Sequence, residues 1–317
     1  MSGERLLVTV EPATRLPGAV PTAPVARCLA AQWRHAGGHV RVLGPASEGS
    51  GWPEGIEYVT GSIHAPDRSA QAFDGVDVVC LAGLAGERPR ALREATNRIV
   101  QSACRSVAVL SSHGAAFEAE HSSETWEWLA CERALELKRI SCVFVRPTGL
   151  FANAIYGGYP ITGSDWAGHV SRAVVIRERN PDAPYPFVHE EDVAGVLAAA
   201  LRGDAAQPRD VDISGPMVSA SERAAILSRV LGRPVVVEPF ASDAEARETW
   251  LQRGWPAVTI DVTLFAEDLI QRHLGAVSAA IAQQVEATER LLGRPPRTFA
   301  DWAAAHAHYF DAISPPG

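Results

Sequence analysis

Short apolar runs alternate with longer amphipathic stretches along the first half of the chain. The run from Leu6 to Val10 is typical of a buried strand. Apolar residues then recur at four-residue spacing from Val25 to Trp33, which predicts a helix that begins at Thr22 and ends at Gly37. Further runs of the strand type follow at Val40 to Leu43, Ile56 to Thr60, Val76 to Ala82, Val107 to Leu110 and Cys142 to Val145.

Two helical stretches separate the later strands, one from about Pro89 to Cys104 and one from Ser123 to Lys138. Strands that alternate with helices pair in parallel through right-handed crossovers. The sequence therefore predicts an α/β fold with a doubly wound, Rossmann-like parallel sheet. In such a sheet a ligand lies beyond the carboxyl ends of the strands, so we look for chemistry in the loops that follow them.

The pattern changes after about Pro147, where glycine and proline become frequent, and helical stretches dominate from Ser219 onward. We therefore expect a Rossmann-like core and a smaller, mainly helical C-terminal substrate lobe. The expected core covers residues 1–152, to which residues 190–213 return, and the expected lobe covers residues 153–189 and 214–317.

Composition narrows the class of partner. The 317 residues are 47% hydrophobic and 21% charged, with a formal net charge of -8. That charge argues against a nucleic acid or an anionic membrane, because both need clustered cations. The five cysteines form no CxxC pair, and the N-terminus has no secretory pattern, so we expect a cytoplasmic protein. We expect a small-molecule substrate and no metal, and leave open a homodimer.

Several segments taken together carry a family resemblance. They are His39–Leu43, Phe73–Val79, Val109–Ser112, Val145–Gly149 with Asn153, Pro186–Ala194 and Ile213–Pro216. From about residue 5 to residue 240 the chain resembles the NmrA-like branch of the atypical short-chain dehydrogenase/reductases. The resemblance implies a scaffold that binds NADP or NAD, and members of the family reduce quinones or act as redox-sensing regulators.

The turn after the first strand departs from that family. Its members carry a Thr-Gly-x-x-Gly-x-x-Gly turn there, whose glycines let the backbone approach a pyrophosphate. Here the turn keeps only Gly18 and holds four prolines, which lack an N–H donor. Glu11 adds a negative charge, and Arg15 is the one cation available to offset it. If a dinucleotide binds, Gly18 and Arg15 are its expected contacts.

Other expected elements are also missing. Gly44–Pro45 stand where the family places a basic residue for a 2′-phosphate, and Ser62 stands where it places an acidic residue on the adenine side. The Tyr-x-x-x-Lys pair of the wider family is excluded, because Lys138 is the only lysine and no tyrosine precedes it by four residues. We therefore favour no cofactor, with NADP or NAD as the alternative.

His113 is the leading catalytic candidate. It follows Ser112 just beyond a predicted central strand, where its imidazole can act as a general acid or base. The Ser112 hydroxyl would orient a substrate carbonyl. The plain alternative is a loop histidine bonded to backbone or water. Arg146 is expected to form a structural ion pair, with anchoring of an anionic or phenolic substrate as the alternative.

A second set of residues is expected to line the substrate pocket. It comprises Glu124, Trp126, Asn153, Tyr156, Tyr159 and His189. The family resemblance supports Asn153, and it makes His189 a brace of the fold more than a reacting group. Trp128 shares a helix face with Cys131 and Leu135, so it is expected in the core.

Three hypotheses for function follow. The favoured one is a cofactor-independent enzyme that cyclises, isomerises or dehydrates an aromatic or polyketide-like molecule. It would use His113 and Ser112, with Glu124 as an optional third group, for proton-transfer chemistry. The second is an NAD(P)H-dependent reductase of a quinone or ketone that works without the Tyr-Lys pair. The third is a non-enzymatic NmrA-like regulator.

Overall fold

The computed structural model describes residues 3–11, 22–63, 65, 69–82, 97–99, 101–102, 104–120, 128–135, 141–156, 166–172, 174–203 and 209–311. These residues fall into two compact units. Unit 1 takes the described residues up to Pro147 together with Glu190–Ile213. Unit 2 takes Thr148–His189 and the described residues from Ser214 onward.

Unit 1 is built on a seven-stranded, wholly parallel sheet. Its strands are β1 (Arg5–Thr9), β2 (His39–Gly44), β3 (Glu57–Thr60), β4 (Val78–Leu81), β5 (Ser106–Leu110), β6 (Ser141–Pro147) and β10 (Asp210–Ile213). The spatial order is β10-β6-β5-β4-β1-β2-β3. The chain therefore winds outward in both directions from the boundary between β1 and β4, and the predicted doubly wound α/β class is confirmed.

Four helices of unit 1 are described: α1 (Thr22–His35), α2 (His113–Glu120), α3 (Trp128–Ala134) and α6 (Glu190–Arg202). The central strands are apolar on both faces, and Leu6, Leu7 and Val8 are fully buried between the helix layers. Helices α1 and α6 pack against each other, and α6 also packs on β5 and β6.

The opposite core cluster joins Trp128, Cys131 and Leu135 to residues of β4, β5 and β6. These three residues are buried, as expected from their shared helix face.

The ends of α1 show how short-range signals fix a helix. The Thr22 hydroxyl donates to the backbone carbonyl of Glu11 (2.9 Å) and accepts from its N–H (3.2 Å), which ties the helix start to the end of β1. After the helix, Gly37 has φ +85°, a conformation that favours glycine. A Cβ on Gly38 would lie 2.3 Å from the Trp33 ring nitrogen. The predicted start and end of this helix are therefore confirmed.

Helix α2 was not expected, because its eight residues have little amphipathic pattern. Its two glutamates differ in burial, and Glu120 is exposed. Glu118 is buried, and its carboxylate accepts the backbone N–H of Leu129 at 2.7 Å, which joins α2 to the start of α3. Most of the helix predicted from Pro89 to Cys104 lies outside the described residues.

Unit 2 combines small sheets with helices. Its strands are β7 (Gly149–Leu150), β8 (Ile176–Glu178), β9 (Tyr185–Val188), β11 (Met217–Val218) and β12 (Val237–Pro239). They form a three-stranded sheet, β11-β9-β7, and a parallel pair, β12-β8. Its described helices are α4 (Asn153–Tyr156), α5 (Trp166–Ser171), α7 (Ala220–Leu231), α8 (Asp243–Gln252), α9 (Ala257–Arg272), α10 (Leu274–Leu292) and α11 (Phe299–His306).

Aromatic packing holds the core of unit 2. Phe151 lies 5.8 Å from the Phe187 ring and 5.2 Å from Phe299, and Phe299 stacks on Trp302. Capping boxes fix the starts of the two helices that join this core, at Ser219 for α7 and at Thr298 for α11.

A buried arginine lies among aromatic rings in the same unit. The Arg223 guanidinium lies 4.2 Å from the Trp166 ring centroid and 4.5 Å from that of Phe187. Burial lowers the pKa of Arg223 to about 10. Glu178 accepts the Trp166 indole N–H at 3.0 Å, and burial raises the pKa of this carboxyl.

A second arginine connects two helices to the strand region. Arg179 follows β8, and its guanidinium binds Asp243 at the start of α8 and both Glu267 and Asp268 on α9. Glu267 is buried. Burial raises the pKa of its carboxyl to about 7 despite the opposing effect of Arg179.

We expect the Glu267→Gln variant to stabilise the protein at pH 8. A carboxyl whose folded pKa lies above its unfolded value binds more protons in the folded state, so stability falls as pH rises from about 4.5 to about 7. The amide keeps an acceptor for Arg179 and removes the buried charge. Urea unfolding is expected to give a gain of up to about 3 kcal/mol at pH 8 that shrinks toward pH 4.5.

The exposed Glu286→Gln change on α10 is the matched control and is expected to leave stability unchanged at both pH values. An equal gain for Glu267→Gln at pH 8 and pH 4.5 would contradict the buried charge as the cause.

Candidate functional site

Polar side chains gather at the carboxyl ends of β5, β6 and β10. Ser111 follows β5, Arg146 is the penultimate residue of β6, and Asp212 lies opposite Arg146 in the register of β10. Parallel strands bring these ends to one edge, where ligands of doubly wound sheets bind. Helices α2 and α3 bring His113 and Glu132 to the same edge.

A buried ion pair forms the base of this site. Arg146 donates from Nε to Glu132 Oε1 (2.9 Å) and from Nη2 to Oε2 (2.5 Å). The guanidinium and the carboxylate thus form a bidentate contact. Ser111 Oγ donates to the same carboxylate at 2.5 Å. The third guanidinium nitrogen binds Asp210 Oδ2 at 3.0 Å. The site thus joins three strand ends and one helix.

The charge of Arg146 is secured by these partners. Burial alone would lower its pKa, but the hydrogen bonds and charge of Glu132, followed by the charges of Asp210 and Asp212, raise it above the ordinary value. The expected structural ion pair of Arg146 is therefore present. The arginine serves as a fixed cation beneath the neighbouring histidine.

His113 faces Asp212 next to this pair. Their Nδ1 and Oδ1 atoms lie 3.9 Å apart, just beyond hydrogen-bond range, and the two side chains are 39% and 33% exposed. Neither atom has a hydrogen-bond partner among the described residues. The His113 imidazole is therefore partly exposed to solvent, and its Nδ1 faces the Asp212 carboxylate.

Electrostatics tune this pair in opposite directions. Burial lowers the pKa of His113, and Arg146 lowers it further, while the Asp212 carboxylate acts to raise it. Burial likewise raises the pKa of Asp212, against the effects of His113 and Arg146. The net effect lowers the pKa of His113, which favours the uncharged imidazole.

Ser112 has a structural contact that its sequence position did not reveal. The residue is buried, and its hydroxyl oxygen accepts the backbone N–H of Gly114 at 3.1 Å, which caps the start of α2. This cap fixes the residue that follows it, His113. Orientation of a substrate carbonyl by Ser112 stays a prediction.

The described pocket residues of the second set lie in unit 2. Asn153 is buried at the start of α4, and the Tyr156 hydroxyl lies 3.2 Å from that of Tyr309. His189 is buried, with its ring 6.3 Å from Phe151 in an edge contact and 6.4 Å from His306. These contacts fit the bracing role that the resemblance gives to His189. Glu124, Trp126 and Tyr159 lie outside the described residues.

The Glu11 carboxylate accepts two hydrogen bonds from residues that follow β3. Its Oε1 accepts from the Ser62 hydroxyl (3.0 Å) and from the backbone N–H of Ile63 (3.3 Å). The sequence suggested a carboxylate that would oppose a bound phosphate. Two donors at the end of β3 fix its position there.

The strand ends on this side have groups that suit the adenosine half of a dinucleotide. Ribose hydroxyls and the adenine amino group need acceptors, and the carboxylates of Glu11 and Glu48 and the hydroxyl oxygen of Tyr58 lie around the ends of β2 and β3. The turn that would meet the pyrophosphate, with Gly18 and Arg15, lies outside the described residues.

Sequence reasoning missed Asp212 and Glu132. The signal for Asp212 was a pair of aspartates, Asp210 and Asp212, inside a short strand that should otherwise be apolar. Glu132 gave a weaker signal, as a charged neighbour of Cys131 on a helix face that reads as core. Within the described part of the chain, no three histidine, cysteine or acidic side chains converge as a metal site.

Comparisons with known proteins give a partial match in sequence. No protein-family profile matches the chain. It is 36% identical over 180 residues to the (4-alkanoyl-5-oxo-2,5-dihydrofuran-3-yl)methyl phosphate reductase of Streptomyces griseus, which covers 56% of this chain and 58% of the relative. It is 28% identical over 127 residues to the NAD(P)H azoreductase of Xenophilus azovorans, covering 40% and 42%. The chain thus spans about half the length of these relatives.

Solved structures match nearly the whole chain in fold. The NADPH-dependent quinone oxidoreductase of Escherichia coli, complexed with NADPH, has a TM-score of 0.65 and 15% identity and covers 96% of this chain and 99% of its own. The negative transcriptional regulator NmrA, in complex with NAD, has a TM-score of 0.63 and 13% identity and covers 96% and 95%. The resemblance to NmrA-like proteins is thereby confirmed for the fold.

These matches correct one prediction. The preference for a protein without a cofactor is wrong, because the azoreductase is an NAD(P)H enzyme by name and the solved neighbours were crystallised with NADPH and NAD. The fold is Rossmann-like, as in the NADPH-dependent quinone oxidoreductase. Among the described residues, no helix combines the length and apolarity that a membrane crossing requires.

We expect the Arg146→Met variant to lower the free energy of unfolding by about 3–5 kcal/mol, because it leaves the Glu132 carboxylate buried without its cation. The double variant Arg146→Met/Glu132→Leu removes both charges and is expected to recover most of that loss. Urea unfolding at neutral pH measures both changes.

The matched control is Arg105→Met, which breaks a more exposed pair with Glu4 and is expected to cost about 1 kcal/mol or less. A cost for Arg146→Met no greater than that of the control would contradict the central place given to the buried pair.

Proposed function

We propose that this protein is an NAD(P)H-dependent reductase of a small conjugated carbonyl compound, such as a quinone, an unsaturated ketone or an unsaturated lactone. The observation that carries the proposal is the His113–Asp212 pair. It lies at the carboxyl ends of the strands of a doubly wound sheet, the kind of sheet that binds nicotinamide dinucleotides in other proteins. The sequence match to a furanone phosphate reductase supports the class of acceptor. Membership of the NmrA-like branch is part of the proposal.

The cofactor would be held at the boundary between β1 and β4, where the winding of the sheet reverses. Thr22 begins the helix that follows β1, and the Thr9 hydroxyl joins β1 to β4 by bonding the backbone of Ala82. Glu11 and Glu48 offer acceptors for the adenosine half. When bound, the reduced nicotinamide supplies a hydride to an electron-poor carbon.

The chain's own contribution is a proton. An acceptor that gains a hydride gains negative charge on its conjugated oxygen, and a positioned acid must neutralise that charge. His113 is suited to this role, since its Nδ1 faces Asp212 and its Nε2 is the nitrogen left to meet a substrate atom. The proton passes from imidazolium to oxygen, and Asp212 stabilises the imidazolium before transfer.

This assignment explains how the chain can work without the Tyr-Lys pair. In that pair a lysine lowers the pKa of a tyrosine so that the phenol can exchange a proton near neutral pH. Histidine titrates near neutral pH without such help. Arg146 sits beneath His113 as a fixed positive charge, which favours proton release, as Lys does for tyrosine.

The proposal is tested by dinucleotide binding and by turnover. Calorimetric titration with NADH and NADPH is expected to give a Kd in the micromolar range for at least one of them. Oxidation of that cofactor should then depend on an added quinone, unsaturated ketone or five-membered unsaturated lactone. Absence of binding at millimolar concentrations of both cofactors would rule out the reductase.

We expect His113→Asn to lower kcat/KM by about 100-fold or more while the Kd of the cofactor changes less than twofold. Asparagine keeps a hydrogen-bonding side chain at this position but has no group that titrates near neutral pH. The exposed His35→Asn change at the end of α1 is the matched control. Equal activity in His113→Asn and His35→Asn would refute the assignment.

The pH dependence of the reaction rate distinguishes an acid role of His113 from a role in packing. Because the acid is the protonated imidazole, the rate should rise as pH falls through a pKa that burial holds below the ordinary histidine value. Asp212 raises that pKa, so Asp212→Asn is expected to move the profile to lower pH. A profile that stays in place in Asp212→Asn would show that the carboxylate does not act through His113.

A further inference from the structure

A cavity in unit 2 is lined by three buried charged side chains. Glu178 ends β8, Arg223 lies on α7 and Glu267 lies on α9, and each of them is at most 8% exposed. The cavity has a volume of about 30 Å³, which is room for about two water-sized groups, and it opens to solvent. Two carboxylates and a guanidinium therefore meet at a space that a small ligand can enter.

Each of the two carboxylates has one oxygen bound by the protein and one oxygen left for the cavity. Glu178 Oε1 accepts the indole N–H of Trp166 at 3.0 Å, and Glu267 Oε2 accepts from Arg179 Nη1 at 3.2 Å. Among the described residues, no donor reaches the second oxygen of either carboxylate. Because buried polar atoms are normally hydrogen-bonded, these two oxygens indicate a ligand that carries donors.

The charge of the cavity favours a cation. Two carboxylates line it together with the guanidinium of Arg223, which leaves an excess of one negative charge when both carboxylates are ionised. Arg179 is shared by three carboxylates, including that of Glu267. Burial raises the pKa of Glu267, Arg179 opposes this effect, and repulsion from Glu178 adds to it. Water can complete the hydrogen bonds of such a cavity, but a positive charge is needed to offset the repulsion between ionised carboxylates.

The rest of the lining indicates the kind of cation. Tyr185 lines the same cavity, and burial and the charge of Glu267 raise the pKa of its hydroxyl, whose oxygen is a third acceptor. The apolar side chains of Val218 and Ile270 also line it. A hard divalent metal ion prefers a shell of about six or more oxygens. An alkylammonium needs three acceptors and an apolar surface for its chain, and the cavity offers both.

We propose that this cavity binds the ammonium group of a small primary amine. Its three N–H donors would be accepted by Glu178, Glu267 and the Tyr185 hydroxyl, and its alkyl chain would lie against Val218 and Ile270. The site consists of residues of unit 2 alone. It is additional to the proposed reductase chemistry and does not rest on it.

Calorimetric titration of the full chain with propylammonium chloride at pH 8 and constant ionic strength tests the site. Glu267 is mostly ionised there, because its pKa is about 7, and the amine stays protonated. We expect saturable binding with a Kd in the millimolar range or tighter. Propanol lacks the charge and tetramethylammonium lacks the N–H donors, so neither should bind saturably. The absence of saturable propylammonium binding would overturn the proposal. Equally tight binding of potassium would indicate a site for alkali ions and would overturn it too.

The Glu267→Gln variant tests where the amine binds. It removes one carboxylate, and we expect it to weaken propylammonium binding by about tenfold or more, because a charge-assisted hydrogen bond is lost. Tyr185→Phe keeps the ring without the hydroxyl and should weaken binding by about fivefold. The exposed Glu286→Gln change on α10 is the matched control and should leave the Kd unchanged. A Kd in Glu267→Gln equal to that of the control would overturn the site. Circular dichroism verifies that each variant is folded.

Discussion

The contact between Arg146 and Glu132 determines where the rest of the site can lie. It is buried, it is made at two points, and it draws one helix and three neighbouring strands to a common point. A buried charge cannot shift without losing its partner, so the height of α3 above the sheet is fixed. Ser111 shares the same carboxylate, and the chain turns from there into the capped start of α2. The position of His113 follows from that sequence of contacts.

The same contact explains the electrostatic character of the edge. The carboxylates of Glu132 and Asp210 bind the Arg146 guanidinium, and the nearby Asp212 carboxylate faces the histidine. The imidazole therefore has a cation below it and an anion beside it. Such an arrangement suits a group that must both hold and release a proton near neutral pH, and it needs no lysine, of which this chain has only one.

The sequence predicted the sheet more completely than it predicted the candidate site. Apolar runs and the Thr22 and Gly37 signals predicted the strands and α1, because local periodicity determines them. The loss of glycines after β1 was read as the loss of a cofactor, and that was wrong, since residue counts do not say where a side chain points. Glu11 turns toward the end of β3, and only the folded sheet brings Asp212 to His113. Contacts between distant segments leave little trace in a single sequence.

Arg223 shows what an arginine-rich composition entails in the interior of unit 2. Its flat guanidinium lies against the rings of Trp166 and Phe187, and burial lowers its pKa to about 10. The same burial would bring a lysine ammonium closer to neutrality, because the ordinary pKa of lysine is lower than that of arginine. A lysine there would lose its charge more readily than the arginine and weaken the electrostatic support of the Glu178 carboxylate. Substitution of lysine for arginine, which surface positions tolerate, is therefore unfavourable at Arg223.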